Sequence, residues 1–519
     1  MTCSVCIAAL LLGAARPVFG TEITDPYLNL LLKKGVISEQ EAEDAHAQIE
    51  AAQTNQPAMA ATSKWKISNG IKDVGLFGDM RFRYEQREGD APGGGRIELD
   101  RGRFALRLGL RGTAADDFYY GLRLETSANP RSPWVTFGTS SSGTPYQGPF
   151  GKSTDGIAIG QIYLGWKPAE WLEVTVGKMP NPLYTTSMVW DGDLNPEGAA
   201  ERLRYKVGKA DFFATFGQFL YQDTNPNKAS GGLGINGLAG QTTDNIFQFA
   251  MQGGFTYHFT TNVFAKVGAT VYQYAGLHHA VSPFFGDSYV GEGAFLGTNT
   301  VNSVQGASGF GTSWNNNPGL PNSLGFPNNQ VGLNNLTVIE VPFELNLKLQ
   351  KVDMRLFGDF AYNLDGKKRA EAAASAYSYF LDNFASTGST LTGFKAQTGD
   401  RKAYQLGLAV GSTDGIGLVT GATGKKHGWE GRVFWQHTEQ YALDPNIIDS
   451  DFFEGRENME GIYGAVAYGF TDNTIATIRY GQAWRINKLL GTGGSNQDLP
   501  QINPLDKFTL LQFDFTLLF

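Results

Sequence analysis

Residues 508–519, "FTLLQFDFTLLF", bring the chain to Phe519 with a strict alternation. Leu511, Phe513, Phe515, Leu517 and Phe519 fall on one face. Gln512, Asp514 and Thr516 share the other with Leu510 and Leu518. A period of two is that of a β-strand. Chain termini fray unless something ties them down, so an apolar stripe running to the last side chain requires an apolar partner, either a core or lipid.

The same alternation recurs near the other end of the predicted sheet. "GLFGDMRFRYEQR" (75–87) sets Leu76, Met80, Phe82 and Tyr84 against Asp79, Arg81, Arg83, Glu85 and Arg87. "RGRFALRLGLR" (101–111) sets Phe104, Leu106, Leu108 and Leu110 against Arg103, Arg107 and Arg111, and "FYYGLRLET" (118–126) sets Phe118, Tyr120, Leu122 and Leu124 against Arg123 and Glu125. Each strand thus has one apolar face and one charged face.

Sixteen strands are predicted, at 72–87, 99–112, 117–127, 157–167, 171–179, 199–208, 211–220, 246–258, 262–274, 336–349, 351–363, 402–412, 428–440, 458–470, 474–486 and 507–519. The gaps between them alternate between long segments rich in Gly, Asn, Ser and Pro and tight turns, and only 413–427 breaks the rule. A soluble sandwich also alternates, but long loops on one side, short turns on the other and an even strand number are the pattern of a transmembrane β-barrel. A closed barrel satisfies every backbone group without water, so 507–519 must pair with 72–87. Lipid is then the partner of the terminal stripe.

Composition agrees. Of the 519 residues 66 are Gly, 13% are aromatic and only 18% are charged, which favours β-structure with many turns. Beyond the first twenty residues no apolar run is long enough for a membrane helix. Residues 1–20 read as a signal peptide, with an apolar stretch from Val5 to Ala15 and small residues before a cut after Gly20, although no Lys or Arg precedes the stretch. Both cysteines, Cys3 and Cys6, lie within it, so the mature chain has no means of forming disulfides or thiolate metal sites. The net charge of −8, becoming −9 when Arg16 leaves as that segment's one charged residue, argues against nucleic acid as a partner.

Residues 21–53 contain a helical hairpin: Asp25 and Pro26 open the first helix, Gly35 closes it, and "SEQE" (38–41) is a capping box for the second. It is either a spacer or a periplasmic oligomerisation or anchoring element, which leaves a homo-oligomer open. Residues 54–71 read as a linker and 72–519 as the barrel, so the fold class is all-β with a short helical preface.

"GDMRFRYE" (78–85), "RFALRLGLRG" (103–112), "GLRLETSANPRSPWVTFG" (121–138) and above all "VGKMPNPLYTTSMVWDGDLNPEG" (176–198) resemble the putative-porin family of Gram-negative outer membranes, similar in style to phosphate-selective porins. The likeness is clearest over residues 74–215. It implies a β-barrel channel in the outer membrane and carries neither a substrate nor a set of site residues.

No G-x-S-x-G, H-E-x-x-H or P-loop occurs in the mature chain, and the six histidines have no acid at a fixed spacing, so neither an enzyme nor a cofactor is expected. Gly232, Gly234 and Gly237 form G-x-G-x-x-G without a preceding strand or following helix, which reads as loop. Asp191, Asp193, Asn195 and Glu197 alternate as a calcium loop begins, but Pro196 and Arg202 occupy the positions that need Gly and Glu, so no metal is assigned. Asp191, Asp193 and Glu197 are instead expected on a constriction loop that folds inward.

The pore lining is expected at Arg81, Arg83, Arg103, Arg107, Arg111, Arg123, Arg202 and Arg204. Arginines in a pore concentrate anions, unless Asp79, Glu85, Glu125 and the loop acids neutralise them. The expected function is passive diffusion of small hydrophilic solutes, with a bias towards anions. The alternative is a structural or adhesive barrel with a plugged lumen, whose long loops at 275–335 and 364–401 bind partners.

Overall fold

The computed structural model describes residues 70–91, 94–115, 117–127, 132–138, 156–222, 246–275, 336–371, 399–488, 490, 492 and 505–519. The predicted signal peptide, the helical hairpin, residues 54–69 of the linker and the glycine motif at 232–237 lie outside them, as do most of the loops 275–335 and 364–401.

The described strands are β1 (Gly75–Asp90), β2 (Arg96–Ala115), β3 (Phe118–Ser127), β4 (Val135–Thr136), β5 (Gly156–Ala169), β6 (Leu172–Lys178), β7 (Glu197–Val207), β8 (Ala210–Gln222) and β9 (Ile246–Thr260). They continue with β10 (Val263–Ala275), β11 (Thr337–Glu340), β12 (Phe343–Lys348), β13 (Val352–Asn363), β14 (Lys402–Ser412), β15 (Trp429–Thr438), β16 (Met459–Gly469), β17 (Thr474–Arg485) and β18 (Lys507–Leu518). β11 and β12 are one strand interrupted at Val341 and Pro342, both halves lying between β10 and β13. Pro lacks the N–H that a ladder needs, which explains the break. β4 pairs only two residues of β2. What remains is a sixteen-stranded antiparallel barrel in which chain neighbours are sheet neighbours. Residues 366–371 form a single short helix among the described residues.

The barrel closes between its ends. β18 pairs with β17 and also with β1, in a register that runs from Asp79 opposite Leu518 to Asp90 opposite Lys507. Phe519 continues the pairing through hydrogen bonds in both directions with Gly78.

The pleat then sorts the side chains. Leu76, Met80, Phe82 and Tyr84 of β1, Leu106, Leu108 and Leu110 of β2, and Phe513, Phe515 and Leu517 of β18 are exposed on the outer surface. Asp79, Arg83, Glu85, Arg107 and Asp514, one residue away in each case, are buried inside, as is Arg103. On β1 the outer apolar run from Leu76 to Tyr84 covers about 26 Å of strand at ~3.3 Å per residue. Beyond it the first hairpin continues with Glu88, Asp90, Arg96 and Glu98, where Arg96 meets all three acids.

The interior is packed at several levels. Residues 179–196, between β6 and β7, and 439–458, between β15 and β16, both turn into the barrel. Met179, Leu183, Met188, Val189 and Trp190 of the first segment pack with Ile447 and Ile448 of the second and with inward residues of the wall, such as Phe219, Tyr272 and Val338. Residues 413–428, the one irregular gap on the short-turn side, fold inward as well. Leu418 and Val419 are buried with Phe434, Phe452 and Tyr463, while Glu430 accepts hydrogen bonds from the amides of Gly417 and Val419 at 2.8 and 2.9 Å.

Candidate functional site in the barrel lumen

All eight arginines expected in the lumen lie on the inward face, and the structure divides them into two groups. On β1–β3 the expected arginines other than Arg111 are locked to carboxylates. Arg83 makes a two-pronged contact with Asp514, at 2.7 and 2.9 Å, and reaches Asp451 at 2.9 Å. Glu85, fully buried, receives Arg103 at 3.3 Å and also pairs with Arg101 and Arg87. Arg81 pairs with Asp79 at 2.6 Å, and Arg123 with Glu125 at 3.1 Å. Arg107 joins Asp193 and lies 3.6 Å from Glu125. Fork-to-fork pairing of this kind fixes geometry as well as charge, so this wall is neutralised by the acids named above and by Asp451 and Asp514. Arg83 also lies 4.1 Å from the centre of the Trp134 ring.

The second group is looser. Arg202 and Arg204, alternate residues of β7, lie 3.9 and 4.0 Å from the carboxylate of Glu173. Their side chains remain 30% and 43% exposed, against 3% for Arg83. Arg111 has the ring of Phe77 at 5.3 Å.

The inward segment 179–196 is held by both the wall and its partner segment. Gln252 of β9 accepts from the amide of Tyr184 at 2.8 Å and donates to its carbonyl at 2.7 Å. The Thr185 and Thr186 hydroxyls donate to Glu340 at 2.5 Å and to Asp359 at 2.6 Å. Asp191 takes the amide and hydroxyl of Ser450 at 3.1 and 2.9 Å, and its own amide donates to the Ile447 carbonyl. Burial, together with the neighbouring charges of Asp193 and Asp449, pushes the Asp191 carboxyl well above the ordinary range. Burial and then Asp451 push Asp449 up to about 7. Asp451 is itself opposed by burial, but the Arg83 and Arg87 guanidiniums outweigh this and hold it at about 2.

The acids expected on a constriction loop therefore part company. Asp191 and Asp193 sit on the inward segment with different partners. Glu197 departs from that expectation: it is the first residue of β7, exposed, and paired with Lys178 at 2.6 Å. The carboxamide of Asn195 accepts from Gln161. Among the described residues no group of three or more His, Cys, Asp or Glu is placed to hold a metal.

Sequence reading missed several lumen residues. Lys266 of β10 and Arg355 of β13 face inward; each follows from strand parity, but each is a lone cation on an otherwise weakly charged strand and drew no attention. Asp451 carried no signal, because nothing in a loop's composition says that it turns inward.

A family model described as "Putative porin" matches residues 95–497. No curated protein matches the chain.

Proposed function

The chain belongs to the putative-porin family, and from that premise we propose that it is an outer-membrane channel through which small hydrophilic solutes diffuse passively, with a bias towards anions. Family and fold point to a channel rather than an enzyme. The observation that carries the reading is the sorting of side chains: a closed wall with apolar residues outside and charged residues inside. That arrangement suits lipid on one surface and water on the other. Exposed Trp435 and Trp484, stacked with centroids 6.3 Å apart, and Trp166 beside Phe118 suit the interfacial girdles of such barrels.

The anion bias rests on Arg202 and Arg204 rather than on the locked arginines of β1–β3. A plugged structural barrel is the second reading, favoured by the apolar packing of 179–196, 413–428 and 439–458 inside the wall. Swelling of liposomes loaded with an impermeant polymer separates the two: a channel admits a small external sugar or amino acid and the vesicles swell, whereas a plugged barrel leaves them unchanged.

A further inference from the structure

We propose that the inward face between β7 and β13 carries a binding subsite for small organic carboxylates, built from Lys266, Arg202, Arg204 and Arg355 around an aromatic floor of Phe213 and Tyr184. It rests on the channel reading above and names the solute class.

The floor comes from two elements. Phe213 belongs to the wall at β8, and Tyr184 belongs to the inward segment 179–196. Their rings meet edge to face, with centroids 6.3 Å apart. Two glycines make the contact possible. A Cβ at Gly254 would stand 2.4 Å from the Phe213 ring, and one at Gly268 would stand 3.2 Å from that of Tyr184. The rings therefore lie against bare backbone, and Gln252 pins the Tyr184 main chain there on both sides.

Lys266 completes the floor. Its ammonium lies 3.8 Å from the centre of the Tyr184 ring and 5.5 Å from that of Phe213. Glu344 stands opposite Lys266 in the β10–β12 register, and Arg202 and Arg204 of β7 and Arg355 of β13 face the lumen from either side of β10. Arg355 lies 3.6 Å from Glu344 with its Nε bonded to Asn346 at 2.9 Å, and its side chain is 31% exposed. Glu340 and Asp359 are occupied by the Thr185, Thr186 and Tyr272 hydroxyls. Cations thus gather on this wall, and Arg202 and Arg355 stand 3.9 and 3.6 Å from Glu173 and Glu344. On β1 the Arg81–Asp79 and Arg83–Asp514 pairs are closer, at 2.6 and 2.7 Å.

An ammonium resting on aromatic faces has given up part of its water, so an arriving anion meets a cation that costs little further desolvation. Guanidiniums on either side offer forked donors to a carboxylate. The rings offer an apolar face that chloride or phosphate has no use for. A carboxylate with an apolar body satisfies both halves.

The probe is benzoate, applied to the full chain conducting chloride in planar bilayers, with inorganic phosphate as the comparison. Benzoate should reduce the chloride current at lower concentration than phosphate. Lys266→Gln should raise its half-blocking concentration about tenfold, the worth of one charge-assisted hydrogen bond. Phe213→Leu should weaken benzoate and leave phosphate unchanged. Arg202→Gln, at a more exposed site, should also raise the benzoate value and serves if Lys266→Gln does not fold. Equal block by benzoate and phosphate, or a benzoate value unmoved in Lys266→Gln and Arg202→Gln, overturns the subsite. If the reversal potential still favours anions, the channel reading survives that failure. A reversal potential that favours cations overturns both.

Discussion

Arg107, on the inward face of β2, is ion-paired with Asp193 of the segment that folds into the barrel between β6 and β7. The pair joins wall and insert directly. Asp193→Asn should remove the charge assistance while keeping a polar side chain, costing about 1–2 kcal/mol and loosening 179–196. Amide hydrogen exchange over that segment should accelerate in Asp193→Asn. Exchange unchanged from the parent would mean that the Gln252, Thr185, Thr186 and Asp191 contacts position it without the ion pair.

The junction between the two inward segments should depend on pH. Asp191 and Asp449 have carboxyl groups raised above the ordinary value of 3.8, the latter to about 7. A group whose folded value is raised binds its proton more tightly in the folded state. Its contribution is complete below the unfolded value and is lost as pH rises through the folded one. The junction should therefore hold best in acid and weaken between pH 3.8 and about 7. Exchange protection over residues 445–451, corrected for intrinsic rates, should be greater at about pH 5 than at about pH 8, and Asp449→Asn should flatten the difference. Protection that rises with pH would reverse the assignment.

The outer face can be tested at one residue. Leu108 is 43% exposed in the outer apolar run, where an arginine at the bilayer midplane costs roughly 2–4 kcal/mol. Arg111→Gln, on the inward face, should be tolerated. Urea titration of folding into lipid vesicles measures both. A harmless Leu108→Arg would place that surface out of contact with lipid.

Closure makes a separate prediction. β18 bonds to β17 and to β1, so a chain ending at Asp506 leaves two open edges in lipid. It should fail to insert and lose the resistance to heat in detergent that closed barrels show. A truncated chain that behaves as the full one does would exclude the β1–β18 seam.

The wall was legible in the sequence because a period of two speaks for itself. All sixteen predicted strands are present, and 402–412 coincides with β14 to the residue. The register at Leu108 and Arg107 followed from alternation alone. The lumen was less legible. Inward folding of 413–428 rests on Glu430 capping two loop amides. The Arg81–Asp79 and Arg123–Glu125 pairs lie within single strands and were anticipated, whereas the pairing of Arg83 rests on Asp451 and Asp514 and that of Arg107 on Asp193. These last pairings come from segments far apart in the chain, and no local pattern encodes them. The interruption at Pro342 was in principle visible, since a proline inside an apparent strand marks a break.

The most direct test of the account is the current carried by the purified full chain in a planar bilayer under a salt gradient. A steady ohmic conductance is expected, with a reversal potential on the anion side, strongest at low salt where screening is weakest, that moves towards cations when Arg202 and Arg204 are both replaced by Gln. A closed bilayer after insertion, or a reversal potential that the double variant leaves in place, would contradict it.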